Sequence, residues 1–336
     1  MKYLYDVPPR QRMIRQIVMW SICSALVVLA FIGGYFIGKG VINQPRTART
    51  HMGAEIVNDL LYIVGGQDAS TGNLLNDVWE IQPDSASLRL VAQLPYACHL
   101  PDITACQDSL YVLGGYDGES YRNEILRIRN GQVDMVAELP GSRAYGCTVG
   151  IDNNLIYAGG WDGQDYVDEI VSICLTSGES SVVAHLPSPR RFVAAARVGD
   201  LVYFIGGEST LSQFSDEIVE FDPSAGRITR IGHLPSGRYL VETVEQEDGL
   251  LVLGGRNTRS LDEIVTVDLS QATISSQTTD RLPGLSWNHS IVALNDKVFV
   301  VGGSNAEFSQ AIGLAEYVPN ADPPLIPIRL RKSPWR

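Results

Sequence analysis

The sequence predicts an all-β fold, a six-bladed β-propeller preceded by a single N-terminal transmembrane helix. Three observations carry this. An apolar stretch ending in Gly-Gly recurs six times, with first glycines at 65, 114, 159, 206, 254 and 302. The steps are 49, 45, 47, 48 and 48 residues, a period that marks a repeat architecture. Between copies the pattern alternates with period two in runs of about six residues, the signature of short strands. Ahead of the repeats, residues 17–37 read IVMWSICSALVVLAFIGGYFI without a charge.

One copy, residues 141–187, shows how a blade is written. Residues 143–151 alternate small and apolar side chains and form the expected inner strand. Asp152-Asn153-Asn154 is a turn, and residues 155–158 are a buried second strand. Gly159-Gly160 let the backbone turn with positive φ. A third strand follows at 168–175 and a fourth at 181–186, closed by Leu186-Pro187. The third strand repeats as NDVWEI, NEILRI, DEIVSI, DEIVEF and DEIVTV, and Leu-Pro closes five copies. Four antiparallel strands per copy make propeller blades, expected at about 49–95, 96–140, 141–187, 188–235, 236–283 and 284–330. Leu325–Leu330 is the candidate last strand, with residues 41–47 as the other source.

The remaining segments are a basic tail (1–16), the apolar span (17–38), a linker (39–48) and a basic tail (331–336). Twenty-one apolar residues at 1.5 Å each cross about 30 Å of hydrocarbon. The run exceeds the apolar part of a cleaved signal peptide, so an uncleaved single-pass anchor is expected. Lys2, Arg10, Arg12 and Arg15 before it, against Lys39, Arg46 and Arg49 after it, favour an extracytoplasmic propeller. The linker spans at most ~40 Å, which would turn the ring mouth toward the membrane. Residues 1–48 hold six Lys/Arg and one Asp, so the rest carries about −17 of the net −12. So acidic a body speaks against nucleic acid as partner. Cys98, Cys106, Cys147 and Cys174 follow no metal or disulfide spacing and read as small core residues.

The Gly-Gly doublet after an apolar-Tyr strand, with YDG (116–118) and WDG (161–163) behind it, resembles the kelch repeat family over roughly 46–330. The chain looks like a membrane-anchored, bacterial type of kelch propeller. Where the family usually places a Trp before the closing Pro, this chain has Leu88, Val133 and Ile228, so its blades should pack through aliphatic contacts.

Sixteen residues before each first glycine stand Arg49, Cys98, Arg143, Arg190, Arg238 and Ser286. This column lies where one blade passes into the next and is expected at the ring mouth. Residues just after Gly-Gly, among them Tyr116, Trp161 and Arg256, should rim the same mouth. So should His51, His99 and His289, with Trp287 beside the last. Arg49, Arg143, Arg190 and Arg238 with Tyr116, Trp161, Arg256, Trp287 and His289 are therefore the ligand-binding candidates. Converging guanidiniums suit a carboxylate. The resemblance adds that kelch substrate adaptors hold acidic peptide segments with similarly placed Arg. The expected function is a membrane-tethered, non-catalytic module binding an acidic protein segment or glycan, with no cofactor and no metal. The alternative is a sugar-isomerising enzyme resembling sialic-acid mutarotases, with Glu242 or His99 moving protons. A copper radical oxidase would need a Tyr/His set that the sequence does not supply. G-x-S-x-G, H-E-x-x-H and P-loop motifs are absent.

Overall fold

The computed structural model describes residues 49–210, 213–246, 249–270, 275–281, 289–295, 297–302, 314–317, 325–327 and 331–332. The chain divides into Met1–Gln44 and Pro45–Arg336. Residues 1–48, and with them the expected span at 17–38 and the whole linker at 39–48, lie outside the described residues. Among the described residues no helix is long and apolar enough to cross a membrane.

Six blades, each built on four antiparallel strands, follow one another along the chain, and the first carries a fifth strand. Their inner strands are Gly53–Val57, Asp102–Cys106, Cys147–Ile151, Ala194–Val198, Glu242–Gln246 and His289–Leu294. Each inner strand touches the next, and the sixth touches the first, so the ring is closed. The seam carries its own bond, from the Ser290 hydroxyl to the Met52 carbonyl at 3.0 Å. Second strands are buried on both faces; Ser109–Leu113 is buried throughout. Outer strands are mostly exposed, with a few side chains turned inward, as in Gln132–Glu138. In five blades the pairing of third and outer strands slips by one residue near the mouth end. Such bulges increase the twist that each blade needs to fit the ring.

The core is divided into six apolar clusters, one between each pair of adjacent blades. Leu88, Val133 and Ile228 pack against three of these. Aliphatic side chains thus fill the places expected for aromatic ones. Each fully buried Leu or Ile contributes about 1.5–3 kcal/mol. Cys98, Cys106 and Cys147 are buried free thiols in these clusters.

Among the described residues, the outer strand of the last blade comes from the C-terminal part of the chain; residues 41–47, the other source expected, lie outside them. The sixth sheet takes its outer strand from Leu325–Pro327, against Leu314–Tyr317. The chain then reaches blade 1, where Arg331–Lys332 pairs parallel with Ser87–Leu88 as a fifth strand. That part of the expected basic tail is an edge strand.

Inner strands begin later than the sequence pattern implies. In blade 3 the strand starts at Cys147, because Tyr145 has a φ of 65° and breaks the ladder. The displaced residues, Arg143–Gly146, belong to the mouth.

Candidate functional site at the propeller mouth

Two structures share the mouth: a buried arginine stitch and, two residues further on, a collar of bulky side chains. The stitch links three parts of the repeat. Arg238 is fully buried. Its Nη2 meets the Glu263 carboxylate at 2.8 Å and its Nη1 donates to the Gly254 carbonyl. Arg190 does the same with Glu217 at 2.6 Å and Gly206. Arg49 forms a two-pronged pair with Asp77 and donates to Gly65. Arg143 meets Glu169 at 2.6 Å, and its Nη1 has no acceptor. Each acid opens a third strand, and each carbonyl belongs to the first glycine of the doublet. The backbone completes the link to the following blade. Gly160 donates to the Arg190 carbonyl at 2.9 Å, and Gly159, at φ 69°, packs so closely that a Cβ would stand 2.6 Å from that oxygen. Arginine, acid and doublet are one device, repeated.

This placement bears on the ligand role expected for the four arginines. They are 0–4% exposed, and each guanidinium is paired with an acid inside its blade. In blade 2 the column holds Cys98, and Arg122 reaches Glu124 instead, at 3.7 Å.

The collar stands two residues past the column. His51, Leu100, Tyr145, Phe192 and Leu240 all have positive φ, between 47° and 65°. Such a conformation is uncommon for bulky residues. It is held by bonds between neighbouring blades: Leu100 N–H to His51 O at 2.8 Å, Phe192 N–H to Tyr145 O at 2.7 Å, and Leu240 N–H to Phe192 O at 3.3 Å. The side chains are half-buried, and those of His51, Tyr145 and Phe192 meet other rings. His51 and His99 stack at 4.6 Å, Tyr145 and Phe192 lie 5.1 Å apart, and Phe192 and Tyr239 5.8 Å.

The rim residues fall where expected. Tyr116, Trp161 and Arg256, each just past the doublet, bridge back to His99, Ala144 and Tyr239. Tyr116 stacks near Tyr121, and Trp161 meets Tyr166 edge-on. Arg191 lies over Trp161, Tyr166 and Phe192 while pairing with Glu208 at 2.9 Å. The exposed part of the blade 3 loop adds Asp162 and Asp165.

Under the collar the ring axis is a cavity of about 650 Å³ lined by the inner strands. Leu100, Tyr145, Phe192 and Leu240 line its mouth end, and His289 contributes from blade 6. Four carboxyl groups line it, Glu55, Asp102, Glu242 and Glu245. Burial pushes Glu242 up to about 8, helped by the charge of Glu55. Burial likewise raises Glu55 to about 7, against backbone N–H groups of Ile56 and Ala105. Asp102 rises to about 7 through burial, opposed by bonds from the Tyr157 hydroxyl at 2.8 Å and Gly146 N–H at 3.0 Å. Of the catalytic candidates, Glu242 lines this cavity, whereas His99 is on the mouth, its imidazole pushed down by burial. Trp287 lies outside the described residues.

The sequence reading passed over the collar itself apart from His51, and Glu55, Tyr239 and Arg191. The collar leaves one signal: a bulky residue two positions after the arginine column in successive repeats. No curated protein matches the chain closely. The family model of the KLHDC2/KLHL20/DRC7 Kelch-repeats domain matches residues 50–231. That match gives no support to the bacterial, membrane-anchored subtype. It covers more than half of the chain, from the start of blade 1 to the outer strand of blade 4, and the stitch repeats on both sides of its end: the chain belongs to the KLHDC2/KLHL20/DRC7 kelch-repeat family.

Proposed function

We propose that this protein is a non-catalytic interaction module, tethered by residues 17–38, whose mouth takes up an exposed segment of a partner protein. The collar carries the reading. A left-handed backbone costs roughly 1–2 kcal/mol per non-glycine residue, and five blades keep it at one position. The side chains there differ from blade to blade, which turns a repeated backbone into an asymmetric surface. Strain held at a ligand-facing rim while the side chains vary is what recognition uses. A kelch propeller is consistent with an interaction role, and the apolar run at 17–37 supports the tether.

An acidic segment or glycan was the partner expected from the arginine column. With those guanidiniums engaged inside the blades, that preference loses its main support. The sugar-isomerising alternative loses the cations that would hold a sugar carboxylate beside Glu242 or His99.

Site-specific photo-crosslinking tests the reading. A photoreactive residue at Trp161 or Tyr239 should label one discrete partner in native membranes. Asp200, 99% exposed in the far-face hairpin of blade 4, should label none. Equal labelling from both faces, or none from the mouth, would sink the proposal.

A further inference from the structure

The cavity under the collar is bordered by aromatic and apolar side chains above and by carboxyl groups within, which outnumber the cations among the described lining residues. Among the described residues that line it, Arg197 is the one Lys or Arg. Its guanidinium is held by the Gly199 carbonyl at 2.8 Å and by Asp152 at 3.4 Å, beyond the end of the inner strand. Glu242 lines the cavity, is half-buried there, and accepts no hydrogen bond from any described residue. Glu55 takes its bond from the adjacent backbone at Ile56. Above them, Tyr145 and Phe192 border the entrance with His51 and His99 beside them, and the blade 3 loop outside carries Asp162 and Asp165 without a Lys or Arg.

Resting on the interaction role argued above, we infer that the occupant of this channel is a basic side chain, a lysine or arginine of the partner segment, passed through the aromatic collar to Glu55, Asp102 and Glu242. Aromatic faces attract such a cation electrostatically, more so when it is desolvated. Carboxylates below then supply a charge partner in a medium of low dielectric, where an unpaired ion would be costly. The volume, about 650 Å³, admits a long side chain with accompanying water. The partner's charge is thus opposite to the one the arginine column implied.

Binding must be linked to protons. Without ligand, burial keeps Glu242 mostly protonated and Glu55 and Asp102 partly protonated near neutrality, so a cation entering displaces protons. The groups facing the channel are Glu55 from blade 1, Asp102 with the blade 3 Tyr157, Arg197 from blade 4, Glu242 and Glu245 from blade 5, and His289 from blade 6. Affinity should rise with pH through the window from about 7 to about 8, where the carboxyls ionise. A lysine stays charged to about pH 10.

The test uses the full chain with four small probes: the Nα-acetyl N-methylamides of lysine, arginine, norleucine and glutamate, followed by saturation-transfer NMR. The lysine and arginine probes should bind at least fivefold better than norleucine, and better at about pH 8.5 than at about pH 6. Glu242→Gln with Glu55→Gln should remove the preference and its pH dependence; glutamine keeps the shape of the protonated acid, so the fold is retained. A Tyr145→Ala/Phe192→Ala chain should weaken all cationic binding. Equal binding of norleucine, preference for glutamate, no binding of any probe, or an unchanged preference in the Gln variant would overturn the inference. If mouth crosslinks to a partner survive in that Gln variant while the probes fail, the interaction role stands and the basic-side-chain reading falls.

Discussion

Two rings of side chains stand two residues apart on the same inner-strand approaches, and they are opposite in kind. The arginine ring has one residue type in four blades, one class of partner, and almost no exposure. The collar has His, Leu, Tyr, Phe and Leu on one backbone conformation, half exposed and under strain. Repetition of chemistry marks what every blade needs in order to close on the next. Repetition of backbone with changing chemistry marks what the ring as a whole presents. The same internal period therefore holds a structural signal and a recognition signal, separated by whether the side chain or the φ angle is what recurs.

The largest effect should come from breaking the first ring. Arg238→Ala leaves Glu263 in a buried setting with Arg259 and Arg281 only at 3.9 and 3.8 Å. Removing one partner of a buried pair costs about 3–5 kcal/mol. The urea midpoint should fall accordingly. Replacing both partners, Arg238→Met with Glu263→Leu, should recover much of that loss. If the single and double variants unfold alike, the arginine acts through its aliphatic stem and the carbonyl of Gly254 rather than through charge.

The collar gives a smaller effect of opposite logic. Phe192→Gly should be more stable than Phe192→Ala by about 1 kcal/mol, because glycine accepts a φ of 55° and alanine does not. At Val171, in the third strand of blade 3, the order should reverse by about 0.5–1 kcal/mol. Urea midpoints of the four variants make the comparison. Alanine winning at both positions would mean that no left-handed strain is held at the collar. Partner or probe binding should be weakened alike in both Phe192 variants, separating recognition from stability.

Much of this was legible in the residues, and the part that was not has a physical reason. The doublet, the closing Leu-Pro and the apolar third strand fix blade number and strand order, because each has a local cause in φ or in burial. Placing Arg143, Arg190 and Arg238 at the blade-to-blade turn also followed from counting. Their direction did not. Whether a guanidinium points to solvent or to Glu169, Glu217 or Glu263 depends on a contact 25 to 27 residues away, which the period brings close without announcing. The collar was hidden for another reason: positive φ at Leu100 or Phe192 comes from bonds to the neighbouring blade, not from the residue's own propensity. Glu55 and Glu242 lie on different inner strands, and only ring closure sets them across one cavity. The Arg331–Lys332 edge strand likewise depends on a pairing with Ser87–Leu88 that no pattern encodes.

The smallest effect sharpens the comparison from outside the ring. His185 pairs with Asp168 at 3.0 Å and His233 with Asp216 at 3.1 Å, at the same position of neighbouring blades. This is also a repeated contact between a third strand's entry and a residue some distance away, as the arginine stitch is. The difference is solvent: His185 and His233 are 59% and 64% exposed, against 0% for Arg238. Exposed pairs gain little over hydration and contribute between zero and about 1 kcal/mol. His185→Ala with His233→Ala should therefore shift the urea midpoint by a small fraction of the Arg238→Ala shift, and added salt should abolish the difference. A loss comparable to that of Arg238 would mean that recurrence of a polar pair, rather than its burial, is what measures its importance to this ring.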